Sequence, residues 1–195
     1  MFSRIAESIT QKLEKSNTIQ SENREIYRYG LEQGFTIILN IVTIIIIGIV
    51  LKALPQSLLF MLFYSPLRSY AGGYHAQTAT RCYAYSIVII VLILLAIKFA
   101  PITNLIHTFI TIISFIIILF LAPVQDHNKP LDKTEHRVYK FRTLNVLIIE
   151  FSLFILALYF NWQMFISCLS WVFVTMAAIL CIGIKNNHRL SKTRS

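Results

Sequence analysis

Two adjacent glycines, two arginines, one histidine and one cysteine fall between Ser65 and Cys82, in a chain that is otherwise mostly oily. The stretch reads Ser-Pro-Leu-Arg-Ser-Tyr-Ala-Gly-Gly-Tyr-His-Ala-Gln-Thr-Ala-Thr-Arg-Cys. A membrane-soluble chain does not need such a cluster to stay in a bilayer, so any chemistry is sought here. His75 and Cys82 are the pair of interest. The nucleophilic form of cysteine is the thiolate, and a neighbouring imidazole can generate and stabilise it near neutral pH.

The spacing imposes a condition. On one straight helix, His75 and Cys82 would share a face but stand about 10.5 Å apart along the axis, too far for a hydrogen bond. The backbone between them must bend, or the histidine must come from a loop that precedes the helix carrying the cysteine. Gly72 and Gly73 supply the freedom for this. If Cys82 lies in the first turn of the helix that continues through Tyr83, the helix dipole also favours its thiolate. A plainer reading stands beside this one: a cysteine at a membrane boundary and a solvated histidine. Spacing alone does not choose between them.

Arg68 and Arg81 flank the pair. Either could hold a substrate carboxylate or stabilise an anionic intermediate. Snorkelling at the membrane interface is the alternative, more natural for Arg81. Glu150 is the one acid inside an apolar run, where a carboxyl needs a partner or a function, or is a packing residue that stays protonated. His107 and Asn145 lie near run ends and read as structural. His127 and His136 belong to a charged connector without a ligand pattern. No metal-ligand spacing, paired carboxylates or phosphate-binding glycine loop stands out, so no metal or cofactor is expected.

The elements around this cluster are helices in a membrane. Of the 195 residues, 56% are hydrophobic and the mean hydropathy is +0.64, too apolar for a soluble domain of this size. Residues 1–20 repeat Phe2, Ile5, Ile9 and Leu13 at helical steps among charged residues, which predicts an amphipathic helix lying on the membrane surface or packed on the protein. Residues 21–34 read as a polar connector. Apolar runs occupy 35–54, 83–100, 105–124, 143–160 and 162–184, with a turn at Asn161 and Trp162. Residues 56–64 are apolar but short, and Pro66 interrupts the continuation of that run. The segment either runs on towards Tyr70 or turns back inside the bilayer, where broken backbone survives only if buried or wet. Residues 186–195 read as a loose basic tail. No cleavable signal segment is expected, since the first apolar run starts only at Phe35 and is too long for one.

Charge placement orders these segments. The net charge is +9. With six passages and the N-terminus inside, sixteen of the eighteen lysines and arginines fall on inner segments and only Lys52 and Lys98 on outer ones. The basic balance therefore reflects topology, not nucleic-acid binding. Cys168 and Cys181, separated by thirteen residues of helix or about 20 Å, cannot bridge within it. The expected architecture is an all-α, polytopic transmembrane bundle of about six segments, one of them short or re-entrant. It forms a single integral-membrane domain over 1–195: an interfacial helix at 1–20, a bundle at 35–184 and a tail at 186–195.

Arg68, then Gly72-Gly73-Tyr74-His75-Ala76, then Cys82, is similar to the signature of the accessory gene regulator B (AgrB) family, membrane cysteine endopeptidases of bacterial quorum sensing. A second block, Ala122-Pro123-Val124 with Asn128-Lys129-Pro130-Leu131, resembles that family's late connector. The resemblance covers nearly the whole chain, although outside these blocks it is one of pattern.

The resemblance implies a fold, a reaction and a partner. Cys82 would be the nucleophile and His75 the base, with Arg68, Gly72 and Gly73 supporting the site. The substrate would be a precursor signal peptide with an amphipathic leader and an acidic tail. Cys82 would attack the carbonyl that ends the signal segment, release the tail and leave an acyl-enzyme thioester. A cysteine of the peptide would then close a thiolactone, or a serine a lactone. Arg81, Lys129 and Glu150 are candidates to touch substrate. No third catalytic residue stands out; Gln77 and Glu32 are nearest to one. The protein would sit in the bacterial cell membrane with its N-terminus, catalytic loop and C-terminus in the cytoplasm, compatible with a homodimer. The rival functions are a peptide exporter or channel component, motivated by the short segment and Glu150, and a structural membrane subunit.

Overall fold

The computed structural model describes residues 3–16, 18–74, 79–100, 102–125 and 132–192, with the backbone alone for 79 and 188–192. Helices dominate: α1 (Ser3–Lys15), α2 (Arg24–Val50), α3 (Leu54–Ala71), α4 (Ala79–Phe99), α5 (Asn104–Leu121), α6 (Lys133–Tyr159) and α7 (Gln163–Lys192). Five of them, α2 and α4 to α7, are long and apolar enough to cross a membrane. With the family resemblance, this makes the chain an all-α membrane protein.

The short segment runs on. α3 continues through Pro66 to Ala71, although proline removes one helical donor. Its eighteen residues correspond to about 27 Å of helix. Phe60, Phe63, Leu67 and Ala71 form a buried stripe at three- and four-residue steps. That stripe packs on α6 and α7, which explains how a segment of modest hydropathy is kept among apolar helices.

α7 carries the opposing stripe. Ile166, Leu169, Val172, Phe173, Met176 and Leu180 are all fully buried at helical spacing. α2 instead exposes Ile37, Ile38, Val42, Ile46 and Ile49, the composition of a lipid-facing helix. Lipid is as apolar as these side chains, so association depends on close packing and polar links between helices. At Gly48 the backbone of α2 approaches α3 so closely that a Cβ would collide with the Ser57 side chain and stand 3.1 Å from Leu54 Cα. Deeper in the bundle, Thr111 Oγ1 donates to Ser170 Oγ at 3.0 Å, which donates to the His107 carbonyl at 3.3 Å.

The two ends of the bundle are distinguishable. At one end, Lys98 Nζ donates to Leu51 O at 3.2 Å and Asn104 donates to Asn161 at 3.0 Å. These bonds bring together the C-termini of α2 and α4, the start of α5 and the α6–α7 turn, as alternating passages require. The turn is tight, with Asn161 at φ 56°. The other end gathers the close of α3, the start of α4, the segment after α5 and the last turns of α7.

Three expected boundaries are corrected. Residues 24–34 are not a connector but the first turns of α2, because Arg24 and Arg28 pair with Glu7 across the α1–α2 junction. α6 begins at Lys133, ten residues before the apolar run, under a capping box in which Asp132 and Glu135 reciprocally satisfy backbone amides. Residues 186–192 continue α7, since no glycine or proline stops the helix where polarity changes. α1 is both amphipathic and packed. It buries Ala6 and Thr10, packs on α2 and leaves Ile5 51% exposed.

Candidate active site

The site is built outward from the end of α3. Gly72 succeeds the helix at φ 69° and Gly73 stands at φ 109°, a conformation that residues with a Cβ rarely adopt. The chain then lies against the segment after α5. Val124 N donates to Ala71 O at 2.9 Å, and Gly73 N donates to Val124 O at 3.0 Å. Just before Val124 the Ala122–Pro123 peptide is cis. A Cβ on Gly72 would collide with the Val124 carbonyl. Side-chain-free backbone is therefore required twice over, by dihedral and by space.

Arg68 locks this turn from within. One guanidinium nitrogen donates to Gly72 O, and the other donates to Tyr74 O at 2.5 Å. Such a fork is what a guanidinium provides and an ammonium does not. The sequence left Arg68 open to a substrate carboxylate, an anionic intermediate or the membrane interface, and the resemblance made it a supporting residue; in the structure both of its terminal nitrogens donate to backbone carbonyls of the turn. α7 closes the far side. Tyr74 N donates to Ile179 O at 3.4 Å, and Gly183 lets the loop approach, since a Cβ there would stand 2.8 Å from Tyr74 N. Residue 74 is thus fixed by α3, by α7 and through Gly73 by Val124.

His75, the next residue, lies outside the described residues, as do Gln77 and Lys129. Cys82 is described. It is the fourth residue of α4 and so in the helix's first turn, where the helix dipole favours a negative charge. It is half-buried, and it lines a cavity of about 490 Å³. Arg68, Tyr64 and Tyr74 share that cavity, with apolar walls from Val88, Ile89, Ile179 and Ile182, and Lys185 and Asn186 from α7. The Tyr74 and Tyr85 rings meet at 6.2 Å between centroids. Such a cavity, apolar with a few converging polar groups, is the usual form of a small-ligand or peptide-end site.

The other cysteines differ. Cys168 is buried and its thiol donates to Gln56 O at 3.7 Å, while Cys181 is exposed on α7. Neither lines the cavity. Arg81 is exposed on the first turn of α4, outside the cavity lining. Glu150 is 3% exposed within α6 and also outside that lining. Neither of its carboxylate oxygens has a hydrogen-bond partner among the described residues. The structure therefore brings Cys82 together with Arg68 and the Gly72–Tyr74 turn but leaves Arg81 and Glu150 apart. Glu32 sits on α2 and is not in the lining either.

Several polar cavity groups escaped the sequence reading, among them Tyr64 and Lys185. Tyr64 is one helical turn before Arg68 on α3, so the four-residue spacing was its available signal. Lys185 comes from a helix more than a hundred residues away and had none. Among the described residues no group of three histidine, cysteine or acidic side chains could hold a metal.

The family model described as Accessory gene regulator B matches residues 6–182. The chain is similar to AgrB-like protein 2 of Clostridium perfringens (strain 13 / Type A), at 30% identity over 172 residues, covering 83% of this chain and 80% of that protein. It is similar to accessory gene regulator protein B of Staphylococcus aureus (strain Newman), at 27% identity over 146 residues, covering 75% of this chain and 76% of that one. No solved structure matches.

Proposed function

Because the chain belongs to the accessory gene regulator B family, we propose that it is a membrane cysteine endopeptidase that matures a quorum-sensing signal peptide from a short precursor. The observation that carries this reading is the presentation of Cys82. Its thiol enters an apolar-walled cavity from the first turn of α4, beside a turn whose last described residue immediately precedes His75.

In this reading the imidazole of His75 takes the thiol proton, and the thiolate attacks the carbonyl that ends the signal segment. The Sγ–C bond forms as the carbonyl pair moves to oxygen. On collapse the C–N bond breaks, and the departing tail amine takes the proton from the imidazolium. The thioester that remains is close in energy to the thiolactone formed when a cysteine of the peptide displaces Cys82. Apolar walls lower the water concentration around the thioester and so suppress hydrolysis. A bundle end carrying Arg68, Arg81, Lys133 and Lys185, opposite Lys52 and Lys98, supports placing the site at the cytoplasmic surface and favours an acidic peptide.

Replacing Cys82 with alanine, and separately His75 with alanine, tests the reading in vesicles supplied with a precursor. Each variant should insert normally and cleave nothing. Normal cleavage by either removes the proposed pair.

A further inference from the structure

Cys82 stands at the surface end of one face of α4. Cys82, Tyr85, Ser86 and Ile89 follow at steps of three and four residues, so a single side of the helix presents them all. All four line the cavity. Ile89 lies two turns beyond the cysteine, about 10.5 Å further along the axis into the apolar part of the helix. The opposing wall is α7, whose last turns share a bundle end with the start of α4. Its cavity residues pass from Ile179 and Ile182 to Lys185 and Asn186 as the helix leaves the apolar region. The apolar ends of the two walls therefore coincide, and so do the polar ends. Val88 and Ile182, also in the lining, are each 53% exposed on helices of membrane-crossing length. The deep half of this groove thus opens on the lipid flank of the bundle.

A groove graded in this way sorts the two sides of a scissile bond. A charged side chain at the deep end would lose its water and find no partner on Val88, Ile89, Ile179 or Ile182. A large apolar side chain gains by leaving water there. The residue on the acyl side of the attacked carbonyl stays in the site after the tail has gone, whereas the tail must depart through water. The polar end, with Lys185 and Asn186, offers the tail that exit. The apolar end remains for the acyl residue, and two helical turns of depth accommodate a leucine, methionine or phenylalanine side chain.

We propose that the groove between α4 and α7 is the binding subsite for the side chain of the residue whose carbonyl Cys82 attacks, and that it selects a large apolar residue. This rests on the endopeptidase reading and adds to it the class of peptide accepted, one whose signal segment ends on a bulky apolar side chain. Ile89 and Ile182, one from each wall, determine that specificity.

Peptide aldehydes isolate the selection from turnover. The Cys82 sulfur adds to the aldehyde carbon, the oxygen takes the thiol proton, and the neighbouring side chain occupies the place of the acyl residue. The probes are acetyl-leucyl-phenylalaninal and acetyl-leucyl-alaninal, applied to the full-length protein in phospholipid vesicles. Affinity is read as protection of Cys82 from iodoacetamide by site-resolved mass spectrometry. It is referred to free aqueous aldehyde, so uptake by lipid does not enter. The wild-type protein should bind the phenylalaninal at least about tenfold more tightly than the alaninal. Ile89→Phe and Ile182→Phe fill the groove from opposite walls. Each should reduce that preference by about tenfold and leave alaninal binding within about threefold. Alkylation without aldehyde should change by less than about twofold in both variants, which reports an intact thiol and fold.

Equal wild-type affinities for the two aldehydes overturn the proposal. So does a preference unchanged in both variants, or an equal loss of both aldehydes, since the isoleucines would then not touch the side chain in question. If no aldehyde forms an adduct that disappears in Cys82→Ala, the endopeptidase reading fails and takes this inference with it. A Cys82-dependent adduct that ignores the side chain sinks the inference alone.

Discussion

Gly183 of α7 lies against the backbone of Tyr74, so closely that a Cβ at 183 would stand 2.8 Å from the Tyr74 amide nitrogen and 3.0 Å from the Gly73 carbonyl carbon. The obstructing atoms are main chain, so relief requires moving the turn, not swinging a side chain. That turn leads directly to His75. Gly183→Val should leave insertion intact and reduce precursor cleavage by about a hundredfold, the scale of a misplacement near 1 Å. The loss should lie in kcat, with KM little changed. Steady-state cleavage kinetics in vesicles checks this, and wild-type kcat would show that the turn tolerates displacement.

Arg68 gives a second prediction through its fork. Lysine preserves the charge but presents one ammonium in place of two guanidinium nitrogens on separate carbonyls. Arg68→Lys should therefore lose at least about tenfold in cleavage, about 1.4 kcal/mol of transition-state stabilisation. Full activity of the lysine variant would mean that charge alone matters at this position.

At the α1–α2 junction, Arg24 hydrogen-bonds Glu7 and holds its carboxyl below the ordinary carboxylate range. A depressed carboxylate contributes stability that is present above its unfolded value and is lost as pH falls through the lower folded value. Docking of α1 should thus persist at neutral pH and loosen only in acid, below the usual carboxylate range. Arg24, Arg28, Glu7 and Glu14 are partly exposed, so high salt should loosen the junction as well. Spin-label distances between α1 and α2 against pH read this directly. In Glu7→Gln the acid-dependent step should vanish.

Glu150 gives a stability prediction. Both carboxylate oxygens are buried with no hydrogen-bond partner among the described residues, and the residue is not in the cavity lining. Removing an unsatisfied buried polar group while keeping its volume is worth about 1–3 kcal/mol. Glu150→Met should raise the unfolding midpoint in detergent while leaving cleavage within about twofold. A Glu150→Met protein that is stable but inactive would assign the carboxyl a functional role.

The helical bundle was legible because apolar runs of membrane length are a strong signal, and the candidate site because a polar cluster stands out against them. The boundaries were less so. The starts of α2 and α6 lie in polar sequence, where hydropathy is silent. The Asp132 and Glu135 capping pair was readable at the α6 start, but the ion pairs of Arg24 with α1 are tertiary. The role of Arg68 illustrates the same limit. Its position beside the glycines suggested an anion partner, whereas its actual partners are carbonyls defined only once the chain turns at Gly72. Lys185 reaches the cavity from a distant helix, and no local pattern announces that.

The central claim is that the sulfur of Cys82 carries the peptide's acyl group during the reaction. Vesicles containing the protein can be incubated with a precursor whose ring-closing cysteine is changed to alanine, so that the acyl group has no intramolecular acceptor, then quenched in acid and digested for mass spectrometry. The predicted result is a hydroxylamine-sensitive adduct on Cys82 with the mass of the precursor lacking its tail. Tail release without that adduct, or tail release by Cys82→Ala, would contradict it.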